Sequence, residues 1–400
     1  MDIEQACATG TLLHPLEGAP NSVDLFRALV HLAGGAFSET GERERSLIEQ
    51  VGHHDHYLLV LVDGLGLSLR GQFPAGGFLE QATRSSLHAV FPSTTAVALT
   101  SLATASWPAR HGVTGWFTCF PEHHRVLAPL LFSERGTRIP ASELGLTMED
   151  LIPLESVIGS FFRTTRSFFP AAISEGAYGR WSRGGTQITP YRTLRHAFRL
   201  LRDHYRSIVG PTYSYLYIIT VDKLSHLHGA QSRPVAEEVA RVDRMLGRLR
   251  DALPGSVRMV VTADHGLVDV PREARYSFSH RDAIASHLIA GQTGEATTPV
   301  FHVREGHADA FLEAFARHPA STAFTLYTPD ELARLGFYGP EPLSPASRAH
   351  LGDYVGIAAE PAMLEYLPPR GDGSPQEPVS HVGVHGGLRP AEMRVPLAIA

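Results

Sequence analysis

Three apolar, β-branched runs of this chain each end on an aspartate, and these aspartates are the first residues whose types and spacing suggest chemistry. They are Asp63, Asp222 and Asp264, which close YLLVLVD, YLYIITVD and VRMVVTAD. A single aspartate after a strand is usually a turn residue or a helix cap. Side chains at the carboxyl ends of neighbouring parallel strands, however, converge on one crevice, where three bare carboxylates would repel one another. The pattern therefore predicts bound cations.

Histidines lie close to these aspartates in the sequence. His226 follows Asp222 by four residues, His265 is next to Asp264, and His385 precedes the last apolar run. Mixed carboxylate and imidazole ligands without cysteine suit zinc best, with manganese, iron and cobalt as alternatives. Together with one hydroxyl, the number of candidate groups predicts two divalent metal ions.

The hydroxyl comes from FPSTTAVALTSLATA, residues 91–105. Pro92 ends an extended segment and Ala96 begins a run of small and apolar residues that predicts a buried helix, with Thr95 in its first turn. A helix start offers unpaired amide groups and a partial positive charge, which hold a phosphate oxygen well. Thr95 is therefore a candidate nucleophile, activated by a metal, while Ser93, Thr94 and Thr100 are alternatives that can simply cap or back-bond the helix.

Strands and helices alternate along much of the chain, as in an α/β fold. The clearest helix, over residues 234–253, has an apolar stripe and separates the run that ends at Asp222 from the run that ends at Asp264. A strand, helix and strand in this order form the right-handed crossover of a parallel sheet. We therefore expect a mostly parallel central sheet with helices on both faces, with these two aspartates on neighbouring or near-neighbouring strands.

Shorter patterns predict the remaining elements. They are a helix over 22–32, a polar loop over 41–46, a strand within 156–171 and a helix over 191–207. Between residues 271 and 379 the alternation weakens and turn-forming stretches interrupt it. This segment is predicted to be a smaller inserted cap, so the core comprises 1–270 and 380–400. A cap beside the metals would set substrate choice.

Six short motifs occur in an order that resembles one enzyme family. They are VDG at Asp63, FPSTT at Thr95, PARHG at His111, DKLSH at Asp222 and His226, ADHG at Asp264 and His265, and HGGLRPAEMRVPL at His385. Each motif is weak alone, but the ordered set is similar to the nucleotide pyrophosphatase/phosphodiesterase (type I phosphodiesterase) family of the alkaline phosphatase superfamily. The resemblance spans most of the chain.

The resemblance implies a metal-dependent hydrolase that cleaves phosphodiester or pyrophosphate bonds through a covalent phosphothreonine intermediate at Thr95. It also implies a division of the metal ligands. One ion is held by Asp222, His226 and His385, and the other by Asp63, Asp264, His265 and the Thr95 oxygen. The expected substrate is a small phosphate ester or nucleotide.

Two positions depart from the family pattern. Eukaryotic-type relatives have an aromatic residue directly after the threonine and an asparagine two positions further, where this chain has Ala96 and Ala98. The metal chemistry survives this change, but a nucleotide substrate is less certain. A phosphomonoesterase, a phosphonate hydrolase and a non-catalytic binding protein on the same scaffold are alternatives. A phosphoglycerate-mutase-like enzyme fits less well, since it would carry a serine nucleophile.

Other polar residues receive smaller roles. His111 is predicted to be structural, satisfied by backbone groups. His381 is a candidate for a position near the metals. Lys223, the only lysine of the chain, is expected to pack near the site, with contact to a substrate phosphate as the minority interpretation.

Composition excludes several classes of protein. Hydrophobic content is 43% and the formal net charge is −6, which argues against disorder and against a basic surface for nucleic-acid duplexes. Cys7 and Cys119 are too few for a disulfide framework. No basic start followed by an apolar core marks a signal peptide, and no apolar stretch is long enough for a membrane span. The expected compartment is the cytoplasm.

Overall fold

A seven-stranded sheet forms the centre of the protein in the computed structural model, which describes residues 1–35 and 41–400. With strands numbered along the chain, its spatial order is β2 (Thr83–His88), β18 (Arg394–Ile399), β9 (Val257–Thr262), β1 (His56–Val62), β8 (Thr212–Ile218), β6 (Thr164–Pro170) and β7 (Gln187–Tyr191). Strands β9, β1, β8, β6 and β7 are parallel, and β18 is antiparallel to both neighbours. The predicted mostly parallel sheet is confirmed, including a strand within 156–171.

Shorter strands form smaller sheets outside this one. They are β3 (Thr118–Phe120), β4 (Arg125–Ala128) and β5 (Ser133–Glu134) in one sheet, β10 (Val268–Asp269) with β17 (Gly383–Val384), β11 (Arg275–Ser279) with β16 (Met363–Leu367), and β12 (Thr293–Gly294), β13 (Pro299–Phe301), β15 (Tyr354–Ala358) and β14 (Phe324–Tyr327) in a further sheet. The last of these sheets lies within residues 271–379. The boundaries of the cap stay a prediction.

Helices surround the central sheet and fill the segments between strands. They are α1 (Ile3–Ala8), α2 (Ser22–Ala33), α3 (Glu42–Val51), α4 (Phe78–Ala82), α5 (Thr95–Thr104), α6 (Pro108–His111), α7 (Met148–Leu151), α8 (Ala177–Ser182), α9 (Leu194–Ser207), α10 (Thr220–His228), α11 (Arg233–Ala252), α12 (Ala283–Ser286), α13 (Ala308–Arg317), α14 (Pro329–Arg334), α15 (Pro345–His350) and α16 (Pro390–Met393). No helix in the described ranges is both long enough and apolar enough to cross a membrane.

Two helix layers cover the sheet. In one layer α2 contacts α3 and α5, and in the other α11 contacts α4, α9 and α10. Strand β1 lies between β9 and β8, and six of its seven residues are buried. A strand that is covered on both faces has this continuous apolar sequence rather than an alternating one. The main hydrophobic core therefore lies on both sides of β1 and holds its carboxyl end in place.

Two local predictions needed correction. The polar stretch over 41–46 was predicted as a loop, but it begins helix α3, whose Leu47, Ile48 and Val51 are buried. The sequence pattern did not predict this helix because its first turn is charged and most of its buried apolar residues come later. The helix predicted over 191–207 begins at Leu194, because Tyr191 ends β7 and the Thr193 side chain accepts a hydrogen bond from the His196 amide as the N-cap. The helix predicted over 22–32 is confirmed as α2.

Candidate active site

The carboxyl ends of the central strands bring the predicted aspartates together. Asp63 directly follows β1, and its amide donates to the Ile218 carbonyl of the neighbouring strand at 2.8 Å. Asp264 lies two residues after β9 and is fully buried. Strands β8 and β9 are separated only by β1. The strands that precede Asp222 and Asp264 in the chain are therefore near neighbours in the sheet, as predicted.

Asp222 reaches the same place by a different route from the one predicted. Strand β8 ends at Ile218, and Asp222 lies in the first turn of α10. Its prediction as a strand-end residue was wrong, because tertiary packing turns the β-branched residues after Ile218 into a helix despite their strand propensity. The Asp222 amide donates to the Asp63 carbonyl at 3.0 Å. That hydrogen bond joins the start of α10 to the end of β1.

A first group of candidate ligands surrounds Asp222. His226 lies one helical turn later, as predicted, with its Nε2 3.3 Å from Asp222 Oδ2. Its Nδ1 lies 2.7 Å from the Gly383 carbonyl, which can only accept, so Nδ1 donates there and Nε2 is the ring nitrogen that faces Asp222. Nε2 of His385 is 3.8 Å from Asp222 Oδ1. One ligand atom from each of Asp222, His226 and His385 lies within 4.8 Å of the others, a spacing that could hold a metal ion.

A second group surrounds His265. Its Nε2 is 3.0 Å from Thr95 Oγ1, 3.5 Å from Asp63 Oδ1 and 3.7 Å from Asp264 Oδ2. Its Nδ1 lies 3.0 Å from the Gly266 carbonyl, so Nδ1 donates there and Nε2 is the ring nitrogen that faces Thr95 and the carboxylates. By the same 4.8 Å spacing that defines the first group, Asp222 also groups with Asp63 and His265. The two groups are therefore adjacent.

The three aspartates lie close together, and their negative charges affect one another's pKa values. Burial, followed by the charges of Asp264 and Asp222, holds the pKa of Asp63 well above its ordinary value, although the Tyr217 hydroxyl donates to its Oδ2. Burial also acts to raise the pKa of Asp222, but its hydrogen bond to His226 and the charge of that imidazole outweigh it and lower the pKa. A cation between the groups would relieve the repulsion.

The donor set fits divalent cations. Asp222 Oδ1 and Asp264 Oδ2 are buried and have no hydrogen-bond partner among the described residues. Buried carboxylate oxygens are rarely left without a partner. Burial, followed by the neighbouring His265 and His226, lowers the pKa of His385 far below its ordinary value, so this imidazole is neutral, as a metal ligand must be.

Among the candidate hydroxyls of its segment, that of Thr95 faces the clustered aspartates. Thr95 is the first residue of α5, and its Oγ1 lies 3.5 Å from Asp63 Oδ1. The alternatives have other partners: Ser93 donates to the Gly387 carbonyl at 2.6 Å, and Thr100 back-bonds to the Ala96 carbonyl at 2.7 Å. Thr94 is the N-cap, but its side chain does not bond to the helix amides. The start of α5 therefore keeps amides and a partial positive charge for an anion.

The remaining predicted positions lie around this centre. His111 is fully buried, with Nε2 3.0 Å from Ser101 Oγ and Nδ1 accepting from the Val113 amide, as expected for a structural residue. His381 stacks on His226 with ring centroids 4.4 Å apart. Lys223 was expected to pack near the site, but its side chain is exposed, because the chain has already entered α10 at this position. Ala96 and Ala98 are buried in the main core.

The sequence did not predict the role of Glu295, which follows β12. Its Oε1 accepts from Thr94 Oγ1 and from the Trp116 amide, both at 2.6 Å. Burial raises the pKa of Glu295 to about 7, although both hydrogen bonds act to lower it. No pattern in the sequence marks this glutamate, since its position depends on the packing of the 293–299 turn against α5. The role of Tyr217 was not predicted either, because in the sequence this tyrosine is part of the continuous apolar run of β8.

Replacing Glu295 with glutamine is expected to stabilise the metal-free protein more at pH 8 than at pH 5. The carboxyl ionises near 4.5 in the unfolded chain but near 7 in the folded protein, so the native protein loses stability as the pH rises between these values. Glutamine does not ionise, and its oxygen can still accept both hydrogen bonds. The advantage in Tm should grow by about 3 °C over this range. An advantage that is equal at both pH values would contradict the raised pKa.

Comparison with known proteins identifies one matching family model. The family model described as type I phosphodiesterase / nucleotide pyrophosphatase matches residues 57–128 and 161–386. Comparison with curated protein sequences gave no significant match.

Solved structures share the fold at low sequence identity. Murine ectonucleotide pyrophosphatase/phosphodiesterase 5 is 15% identical, with a TM-score of 0.62 over 86% of this chain and 87% of that one. Its inactive threonine-to-alanine variant in complex with AMP superposes with a TM-score of 0.61, at 15% identity over 86% and 87% of the two chains. Phosphonoacetate hydrolase from Sinorhizobium meliloti 1021, in complex with phosphonoformate, is 16% identical, with a TM-score of 0.58 over 86% of this chain and 89% of that one.

Proposed function

Since the chain belongs to the type I phosphodiesterase/nucleotide pyrophosphatase family of the alkaline phosphatase superfamily and is a hydrolase of that kind, we propose that it cleaves phosphodiester or pyrophosphate bonds through a phosphothreonine intermediate at Thr95. One observation carries the proposal. The Thr95 hydroxyl stands at an uncapped helix start, 3.0 Å from His265 Nε2 and 3.5 Å from Asp63 Oδ1. A nucleophile, a metal-binding cluster and an anion-holding helix end therefore meet at one point.

The proposed metal ligands divide into the two groups described above. Asp222, His226 and His385 hold one ion, while Asp63, Asp264, His265 and the Thr95 oxygen hold the other. This division is the one that the family resemblance implies. The shorter distances support it, because Asp63 and Asp264 lie within 3.7 Å of His265 Nε2 whereas the nearest histidine of Asp222 is His226 at 3.3 Å. Zinc suits this nitrogen and oxygen donor set. When bound, such ions lower the pKa of a nearby hydroxyl and offset the negative charge of a phosphoryl group.

Thr95 performs the covalent step. Its Oγ1 forms a bond to phosphorus while the bond from phosphorus to the leaving oxygen breaks on the opposite side. Water then attacks the phosphothreonine from the side that the leaving group vacated, which releases the phosphate product and restores the threonine. The amides at the start of α5 can hold a non-bridging phosphoryl oxygen during both steps. The inactive threonine-to-alanine variant of the murine relative supports a threonine in this role.

A diester fits the charge of the site better than a monoester. In the described part of the chain, the ion-pair partners of Asp63, Asp222 and Asp264 are histidines rather than arginine or lysine. A phosphodiester carries one negative charge, whereas a phosphomonoester carries nearly two at neutral pH. Without an additional fixed cation, the doubly charged substrate is the less favourable one.

The test compares two substrates with the same leaving group. The purified protein, loaded with zinc, is assayed with bis(4-nitrophenyl) phosphate and with 4-nitrophenyl phosphate at pH 8. We expect kcat/KM for the diester to exceed that for the monoester by about a hundredfold, a difference of less than 3 kcal/mol in transition-state stabilisation. Chelation should remove both activities. A preference for the monoester would favour a phosphomonoesterase, and no turnover of either ester with any divalent metal would favour a binding protein.

A further inference from the structure

Helix α5 begins with a good capping residue whose hydroxyl does not cap it. Thr94 is the N-cap and has an extended backbone, the conformation from which a threonine hydroxyl accepts from the amides of the first turn. Its Oγ1 instead donates to Glu295 Oε1 at 2.6 Å. The hydrogen bonds of the helix begin only with the Ala98 amide, which donates to the Thr94 carbonyl at 2.9 Å. The hydroxyl that would complete the first turn is therefore bound to a residue outside the helix.

Three backbone amides at this helix start have no partner. In the part of the chain that the structure describes, the amides of Thr95, Ala96 and Val97 donate to no acceptor, and all three residues are buried. We call them the first-turn amides. Buried amides are rarely left without an acceptor, because the water that satisfied them in the unfolded chain is lost. An oxygen of a bound anion would supply the missing acceptor.

The turn that carries Glu295 is fixed against the loop of the ligand His385. Thr297 Oγ1 donates to the His385 carbonyl at 2.6 Å, and Thr298 Oγ1 donates to the Gly386 carbonyl at 2.7 Å. A Cβ atom at position 386 would lie only 2.7 Å from the Cβ of Glu295. Any residue other than glycine at this position would therefore push Glu295 away. This close approach sets where the glutamate leaves the backbone.

Further hydrogen bonds hold Glu295 independently of Thr94. Its Oε1 also accepts from the Trp116 amide at 2.6 Å, and the Gln292 side chain donates to its backbone carbonyl at 3.1 Å. A carboxylate is a stronger acceptor for a hydroxyl than a neutral oxygen is. Since the carboxylate is fixed and the threonine hydroxyl can rotate about one bond, the carboxylate determines the direction of the hydroxyl.

We propose that Glu295 is a positioning residue that holds the Thr94 hydroxyl away from the start of α5 and so keeps the first-turn amides free for a phosphoryl oxygen. The proposal rests on the proposed function, which it deepens by naming the residue that prevents the nucleophile's helix from capping itself. Glu295 acts through Thr94 and not by contact with the substrate. Without the carboxylate, the hydroxyl turns to the first-turn amides, and a phosphoryl oxygen has to displace it.

A single and a double variant test the proposal. In zinc-loaded Glu295→Ala we expect kcat/KM for bis(4-nitrophenyl) phosphate to fall about fivefold, the factor that corresponds to displacing one threonine cap. In Thr94→Val/Glu295→Ala the competing hydroxyl is gone as well, so kcat/KM should return to within about twofold of the wild type. A purely structural role for Glu295 predicts the opposite order, because the second substitution could then only add to the damage. Glu295→Gln keeps an oxygen that accepts from Thr94 and should retain most of the activity.

A buried aspartate in the other helix layer provides the matched control. Asp243 lies on α11, and its Oδ1 accepts from the Leu79 amide at 2.7 Å. Asp243→Ala therefore also removes a buried carboxylate and leaves a buried amide without its acceptor. It should lower the Tm but keep kcat/KM within about twofold of the wild type. If Glu295→Ala does not fold, Glu295→Met keeps the length of the side chain without an acceptor and allows the same comparison with its Thr94→Val double variant.

A crystal structure of the Glu295 variant tests the proposal without turnover. We expect the Thr94 hydroxyl within about 3.2 Å of the Ala96 or Val97 amide in this variant, and no such contact in the wild type. If the wild type cleaves no phosphate ester, the proposed function fails, and this contact alone still decides what Glu295 does to Thr94. A hydroxyl that stays away from both amides would overturn the proposal, and so would a double variant that is no more active than Glu295→Ala.

Discussion

Thr95→Ala is expected to lower kcat for a phosphodiester by at least about a thousandfold while the protein keeps both metal ions. The variant loses the oxygen that bonds to phosphorus, and no other hydroxyl of the segment can replace it. Ser93 and Thr100 donate to backbone carbonyls, and Thr94 donates to Glu295. Steady-state kinetics with bis(4-nitrophenyl) phosphate measures the loss, and elemental analysis of the dialysed protein measures zinc.

Two further variants make this prediction specific. Thr95→Ser keeps a hydroxyl at the helix start and should retain measurable turnover, because the group that attacks is still present. Thr100→Ala removes a buried hydroxyl five residues further along α5, which back-bonds within the helix, and should leave kcat within about threefold of the wild type. Turnover in Thr95→Ala close to that of the wild type would exclude a covalent phosphothreonine and leave direct attack by water.

The sequence correctly predicted the buried strands that lead to candidate metal ligands. Strand β1 is covered on both faces, so its apolar run is unbroken up to Asp63, and β9 leads to Asp264 in the same way. In α10 the spacing of four residues between Asp222 and His226 matches one helical turn. Local sequence patterns such as these predict the folded structure because the geometry of sheets and helices is regular.

Features that depend on packing between distant segments could not be predicted. The chain leaves β8 at Ile218, four residues before Asp222, although the apolar sequence continues. Glu295 and Trp116 meet only because the turn between β12 and β13 packs against the segment after α6, and neither segment has a periodic pattern. The part of the site away from the clustered aspartates and histidines is therefore a property of the tertiary structure, and no motif describes it.

His226→Ala is expected to lower the zinc content from about two ions per chain to about one, and to lower kcat/KM for a diester at least about a hundredfold. The imidazole is the nearest histidine to Asp222, at 3.3 Å, and its Nδ1 is already committed to the Gly383 carbonyl. Without it, Asp222 and His385 are two ligands, too few for a stable zinc site. The group around His265 keeps Asp63, Asp264 and Thr95, so the second ion should remain.

The same helix provides the control. His228 lies two residues further along α10 and is exposed, so His228→Ala should keep about two zinc ions and full activity. Elemental analysis after dialysis against zinc-free buffer measures both variants under identical conditions. Two ions retained in His226→Ala would remove this histidine from the ligands. If His226→Ala retained no ion, the two groups would bind metal as one cooperative cluster. The loss of one imidazole would then also empty the group around His265, which contains Thr95.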